Sequence, residues 1–208
     1  MENKIISVMI ADDHPLLRSG IAAVLSADPR FAVVAEACDG DDALAQYQRH
    51  RPDVTLMDLQ MPGLNGIEAT IAIRAVNPQA RIIILTTYGG EVQVARGLKA
   101  GASGYILKNL ARTELTNYIL SVHAGLQQLS PQVACSLANN FHKDTLSKRE
   151  VQVLRVVADG NSNQRAADHL GLSEDTIKAH MKTILQKLDA RDRTHAVMIA
   201  MRRGYWES

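Results

Sequence analysis

The chain has 208 residues, 46% of them hydrophobic and 22% charged, a globular balance with enough apolar residues to fill one or two cores. Its two cysteines, Cys38 and Cys135, are far apart and lack metal-ligand or redox spacing, which excludes a disulfide framework and predicts reduced thiols. The net charge of +1 hides a division near residue 124, −2 before it and +3 after, that fits an acidic chemical domain joined to one that meets a polyanion.

In chain order, the first apolar run covers 5–11. It is too short to span a bilayer and ends in Asp12-Asp13, so it reads as a strand, and a soluble cytoplasmic protein with no membrane association is expected. Further runs at 31–35, 54–57, 81–86 and 104–107 predict four more strands. Between them Leu17/Ile21/Val24/Leu25, Ala43/Leu44/Tyr47, Ile67/Ile71, Val94/Leu98 and Leu115/Tyr118/Ile119/Val122 recur at spacings of three and four, the period of amphipathic helices. Five β-α units rich in Ile and Val predict an α/β domain over 1–124, a doubly wound five-stranded parallel sheet covered on both faces.

The alternation stops over 125–144, which reads as a linker with a short helix opening at Pro131 and running to about Phe141. Residues 145–208 carry no strand pattern and predict an all-α domain of four short helices, punctuated by Gly160, Gly171 and the polar stretch 189–193.

In a doubly wound sheet, functional groups gather beyond the carboxyl ends of the strands. Here the first strand ends in Asp12-Asp13, the third in Asp58, the fourth in Thr86 and the fifth in Lys108. Clustered carboxylates call for a hard divalent cation such as Mg2+, which also screens an incoming phosphoryl group, and one carboxylate is then free to act as nucleophile. Lys108 and Thr86 suit the transferred oxygens. Taken singly, Asp12 is equally a helix cap, Lys108 a solvated charge and Thr86 a strand-end filler; their joint placement on successive strand ends favours phosphoryl chemistry. Gly63 and Gly66 read as turn formers without chemical roles, and His14 as incidental to the pocket.

Residues 4–123, with Asp12-Asp13, Met57-Asp58-Leu59-Gln60-Met61-Pro62-Gly63, Thr86-Thr87 and Tyr105-Ile106-Leu107-Lys108 in order, resemble the flavodoxin-like receiver domain of two-component response regulators. The resemblance implies Asp58 as phospho-acceptor from a sensor histidine kinase. It also implies Mg2+ held by Asp13, Asp58 and the Gln60 backbone carbonyl with Asp12 assisting through water, Lys108 on the phosphoryl group, and Thr86 and Tyr105 as the switch pair. Asn109 stands where many receivers carry proline, and Gln60 and Tyr88 stand where the family tunes phosphate lifetime.

Asn163–Leu170, the Gly171-Leu172-Ser173 turn and Glu174–Leu188 form a helix-turn-helix pattern with Ser173 as N-cap. Ile177, Met181, Ile184, Leu185 and Leu188 make one apolar stripe, while Lys178, Ala179 and Lys182 share another face suited to a major groove. Lysines on a solvated face are common without such a role. With 146–150, Val153-Leu154, 158–160, Asn163, Thr176-Ile177-Lys178-Ala179-His180 and Lys187-Leu188, however, the region resembles the LuxR-type domain of NarL/FixJ regulators. That likeness implies double-stranded DNA as partner, Lys178, Ala179 and Lys182 as base readers, Thr176, His180 and Asn163 as phosphate contacts, and a homodimer supported by the last helix, Arg193–Arg203. Ala166 is smaller than the family pattern favours. The competing reading, a phosphohydrolase with an aspartyl nucleophile, lacks an acid/base aspartate two residues after Asp58, where Gln60 stands. A turnover enzyme is therefore not expected. A receiver governed by protein contacts alone does not explain the full aspartate, threonine and lysine set.

Overall fold

The computed structural model describes residues 5–87, 90–108, 112–131, 133–135 and 145–206. The chain divides into two compact units, one holding a sheet and its helices up to Cys135, the other four helices from Lys148 onward.

In the first unit the strands are β1 (Ile6–Ala11), β2 (Phe31–Ala37), β3 (Val54–Asp58), β4 (Ile82–Thr86), β5 (Gly104–Leu107) and β6 (Gln128–Leu129). They are parallel throughout and ordered β2-β1-β3-β4-β5-β6. Helices α1 (Pro15–Ser26), α2 (Gly40–His50), α3 (Gly66–Val76), α4 (Glu91–Lys99) and α5 (Arg112–His123) alternate with the strands. The two-residue pleat sorts side chains to opposite faces. Ile6, Val8 and Ile10 of β1, with Val54, Leu56, Ile83 and Leu85, join Ile21 and Leu25 of α1 and Leu115, Ile119 and Val122 of α5 in one core. Met9, Ala11, Met57 and Ile82 face Ala43 and Tyr47 of α2 and Ala69 and Ile73 of α3 in another. Burial on both faces explains why β3 and β4 read as largely apolar runs, broken in β3 by the buried Thr55 and ending in Asp58 and Thr86.

All five expected strands are present, and the sheet has a sixth. Gln128 and Leu129, inside the segment expected to be linker, pair with Gly104 and Tyr105. The Gln128 N–H donates to Ser103 O at 3.0 Å and the Ser130 N–H to Tyr105 O at 3.1 Å. Two residues are too few to carry a periodicity. The strand forms because β5, buried at the end of a five-stranded sheet, needs partners for its outer backbone groups. Of the short helix expected after it, Pro131 and residues 133–135 are helical, and the rest lies outside the described residues.

The second unit contains α6 (Lys148–Ala158), α7 (Asn163–Leu170), α8 (Glu174–Leu188) and α9 (Arg193–Arg203). Each starts at a polar N-cap, Ser147, Ser162, Ser173 or Asp192. Ser147 and Glu150 form a reciprocal capping box. Gly171, at φ +63°, ends α7 in the left-handed conformation that glycine adopts without steric cost and turns the chain towards α8. The core comprises Val153, Leu154, Ala166, Ile177, Ile184, Leu188, Ala196 and Ala200 among others. Ala166 is fully buried in it despite its small size. Among the described residues, no helix is long and apolar enough to cross a membrane.

Candidate functional site

The order in which successive strands join the parallel sheet reverses at β1 and β3, so the loops from their carboxyl ends part there and leave a crevice at the rim, with Ala11 registered on Met57. Asp12 and Asp13 follow β1 directly, and Asp58 is the last residue of β3. Asp12 and Asp58 are almost wholly buried. The main chain around them is pinned. Arg18 of α1 donates to the Asp12 carbonyl at 2.6 Å, the His14 N–H to Asp12 Oδ1 at 2.8 Å, and the Gln60 N–H to Asp58 Oδ1 at 3.2 Å. Lys108, one residue beyond β5, donates its own N–H to Thr86 O at 2.7 Å, which ties the two strand ends together. Its ammonium lies 2.6 Å from Asp58 Oδ2 and 2.9 Å from Asp12 Oδ2.

Electrostatics follow from this burial. Desolvation pushes the Asp58 carboxyl up to about 6, with repulsion from Asp12 adding to the rise and the Lys108 and Gln60 hydrogen bonds opposing it. Burial works against the Lys108 charge, yet hydrogen bonds and attraction from Asp58 and Asp12 raise its pKa, so the amine stays an ammonium. One ligand atom each from Asp12, Asp13, His14 and Asp58 fits within a 4.8 Å span. Two carboxylate oxygens, Asp12 Oδ2 and Asp13 Oδ1, are shielded from solvent and each faces a nitrogen, Lys108 Nζ at 2.9 Å and His14 Nδ1 at 2.6 Å. Hard oxygen donors at this spacing fit a cation of magnesium size.

In the second unit, α8 buries Ile177, Met181, Ile184 and Leu188 and turns Lys178, Ala179, Lys182 and Thr183 outward. Thr176, His180 and Asn163 are half-buried. Ser173 accepts the Thr176 N–H at 3.1 Å, fixing the start of the helix. Lys178 meets Glu174 at 3.0 Å and Asp175 at 3.4 Å, contacts that raise its pKa. Beneath this helix Lys187 pairs with the buried Glu150 at 2.9 Å.

Two family models match the chain, the response regulator receiver domain over residues 8–120 and the luxR family of bacterial regulatory proteins over 144–200. The chain is a two-component response regulator of the NarL/FixJ type. Its relatives include the transcriptional regulatory protein DegU of Brevibacillus brevis, 34% identical over 98% of the regulator and 96% of DegU. YxjL of Bacillus subtilis (strain 168) is 39% identical over 96% of each chain. Among solved structures, the RcsB response regulator of Salmonella typhimurium aligns with a TM-score of 0.71 at 28% identity over 93% of the regulator and 98% of RcsB. ChrA, the response regulator of a heme-sensing two-component system, aligns at 0.59 with 36% identity over 96% and 98%. This family membership makes the protein a transcription regulator of a two-component system and not a metabolic enzyme.

The regulator's structure brings together Asp12, Asp13, Asp58 and Lys108 as the strand pattern predicts. Thr86 ends β4 and is buried. Tyr105, on β5, is fully buried, with its ring beneath α4: a Cβ on Gly97 would lie 3.0 Å from Tyr105 Cε2. Tyr88 and Asn109 lie outside the described residues. Three features escaped the sequence reading. His14, read as incidental to the pocket, has its Nδ1 2.6 Å from Asp13 Oδ1. Gly66 is in close contact with the end of β3, since a Cβ there would fall 2.0 Å from the Asp58 carbonyl oxygen. Lys178 is ion-paired within its own helix, for which the i,i+4 spacing from Glu174 was an available signal.

Proposed function

We propose that the regulator accepts a phosphoryl group on Asp58 from the phosphohistidine of a sensor kinase and thereby gains affinity for promoter DNA. An Asp58 carboxylate oxygen attacks phosphorus, the phosphorus–nitrogen bond of the donor breaks, and the donor imidazole regains its electron pair. Asp13, Asp58 and the Gln60 carbonyl would hold Mg2+, with Asp12 assisting through water. When bound, the ion screens the charge of the phosphoryl oxygens. Lys108, now paired with Asp58, moves its ammonium to a phosphoryl oxygen, and Thr86 follows, freeing Tyr105 to change rotamer. The same residues return the group to water, so the protein turns over only its own acyl phosphate.

Residues 1–124 serve as receiver, 125–144 as linker and 145–208 as DNA-binding domain. Lys178, Ala179 and Lys182 read base edges, while Thr176, His180 and Asn163 contact phosphates. RcsB, similar over nearly its whole length, has been solved bound to DNA as dimers, which supports a homodimer on paired half-sites. A cytoplasmic setting accords with two cysteines that are both free. The observation that carries this reading is the Lys108 ammonium at 2.6 and 2.9 Å from two buried carboxylates.

The test is DNA affinity with and without an acyl-phosphate donor and Mg2+, with Asp58 occupancy followed by Phos-tag electrophoresis. A full switch from mostly off to mostly on corresponds to roughly 5 kcal/mol of coupling. Affinity should rise on phosphorylation and stay at the basal level in Asp58→Asn. Equal affinity with Asp58 phosphorylated would remove the gating claim.

A further inference from the structure

We infer that His14 is a ligand of the acidic pocket and shifts its selectivity from Mg2+ towards transition-metal dications. The inference rests on the metal-binding role proposed above for Asp13 and Asp58. His14 Nδ1 lies 2.6 Å from Asp13 Oδ1 and 3.5 Å from Asp12 Oδ1. In an octahedral shell with metal–ligand bonds near 2.1 Å, neighbouring donors sit about 3 Å apart and opposite ones about 4.2 Å apart. The imidazole nitrogen thus lies at hydrogen-bond distance from Asp13 and near the spacing of an adjacent ligand from Asp12, and the whole set, Asp58 included, spans 4.8 Å, so that shifts of about half an ångström would seat all four on one ion.

The local backbone holds the ring there. His14 is the N-cap of α1 with extended φ and ψ, its main-chain N–H is fixed on Asp12 Oδ1, and Pro15 opens the helix behind it. N-caps ordinarily spend their side chain on the first-turn amides. His14 makes no such bond. Its side chain is 67% exposed, so bringing the ring onto an ion costs little burial.

Magnesium takes oxygen donors and gains little from an imidazole, whereas affinity for nitrogen donors rises from manganese through cobalt to nickel. Carboxylates alone already bind transition-metal dications somewhat more tightly along this series; a fourth, nitrogenous donor enlarges the preference over Mg2+. If His14 only hydrogen-bonded to Asp13 at the surface, its removal would leave relative affinities unchanged.

Calorimetric titration of the full chain with Co2+ and with Mg2+, each competed by the other, tests this on wild type, Asp13→Asn and His14→Ala. Histidine ring signals are followed in parallel by 15N NMR. Both ions should compete for one site in wild type, and Asp13→Asn should lose both. His14→Ala should weaken Co2+ by about tenfold or more while leaving Mg2+ unchanged. The His14 ring signals should respond to Co2+ and recover with excess Mg2+. Equal weakening of both ions by His14→Ala, or His14 signals indifferent to Co2+, overturns the ligand assignment while the acidic site stands. Absence of competition in wild type, or binding retained in Asp13→Asn, overturns the site itself and the inference with it.

Discussion

Under the proposed reaction Asp58 carries opposing demands: it must be ionised to attack phosphorus, yet burial favours its neutral form. Its folded pKa, about 6, lies above the 3.8 of an ordinary aspartate. The stability it contributes is thus fully present below pH 4 and lost as pH rises through 6. In metal-free buffer, Asp58→Asn should gain on wild type between pH 4 and 7 by on the order of 2 kcal/mol, and Mg2+ should close the gap. Urea unfolding of both proteins at the two pH values measures it; parallel curves would mean that Lys108 already cancels the burial cost. Gly66 acts by what it lacks. Gly66→Ala drives a Cβ into the Asp58 carbonyl and should cost about 2 kcal/mol while slowing phosphorylation, seen in the melting temperature and in labelling by an acyl phosphate. Asp12, Asp13, Asp58 and Lys108 were legible because apolar strands that end in polar residues advertise the rim. Gly66 and His14 were not, since a steric limit and a rotamer leave no periodic trace.

Helix and strand boundaries were legible where one chemical rule dominated. The α7, α8 and α9 limits match the sequence reading because serine or aspartate caps precede each apolar stripe. The sixth strand was hidden by its two-residue length, and Gln128-Leu129 becomes a strand only through the unpaired flank of β5. Within the helical unit, α6 and α8 are joined by the Glu150–Lys187 pair. Burial alone would raise the Glu150 pKa, but hydrogen bonds from Lys187 and Ser147 hold it below its ordinary value. A depressed carboxylate stabilises above its unfolded pKa, so the contribution should vanish as pH falls below about 4.5. Lys187→Met strands the buried acid and should destabilise this unit by about 2 kcal/mol at pH 7, less at pH 4. Thermal denaturation at both pH values distinguishes this from lost packing, which would cost the same at each.

At the scale of the whole molecule, the acidic half holds the chemistry and the basic half presents Lys178 and Lys182 on one exposed helix face. If both reach DNA, Lys178→Ala and Lys182→Ala should differ in kind. A base-reading lysine costs about 1–3 kcal/mol on the selected sequence and relaxes preference at one position, whereas a phosphate-contacting lysine weakens all sequences and lowers the salt slope by about 1. Fluorescence anisotropy over a salt series, on selected and scrambled DNA, separates them; two uniform losses would reassign both residues to phosphates. Lys178 must first leave Glu174 and Asp175, a small cost for exposed pairs. One consequence of the added strand concerns how news of phosphorylation can travel. With β4 on one flank and β6 on the other, the main chain that bears Tyr105 is laced by hydrogen bonds on both sides. Under the proposed switch, a message leaving the rim along β5 would then cost less if carried by rings and methyl groups turning in place than by a backbone that breaks its ladder.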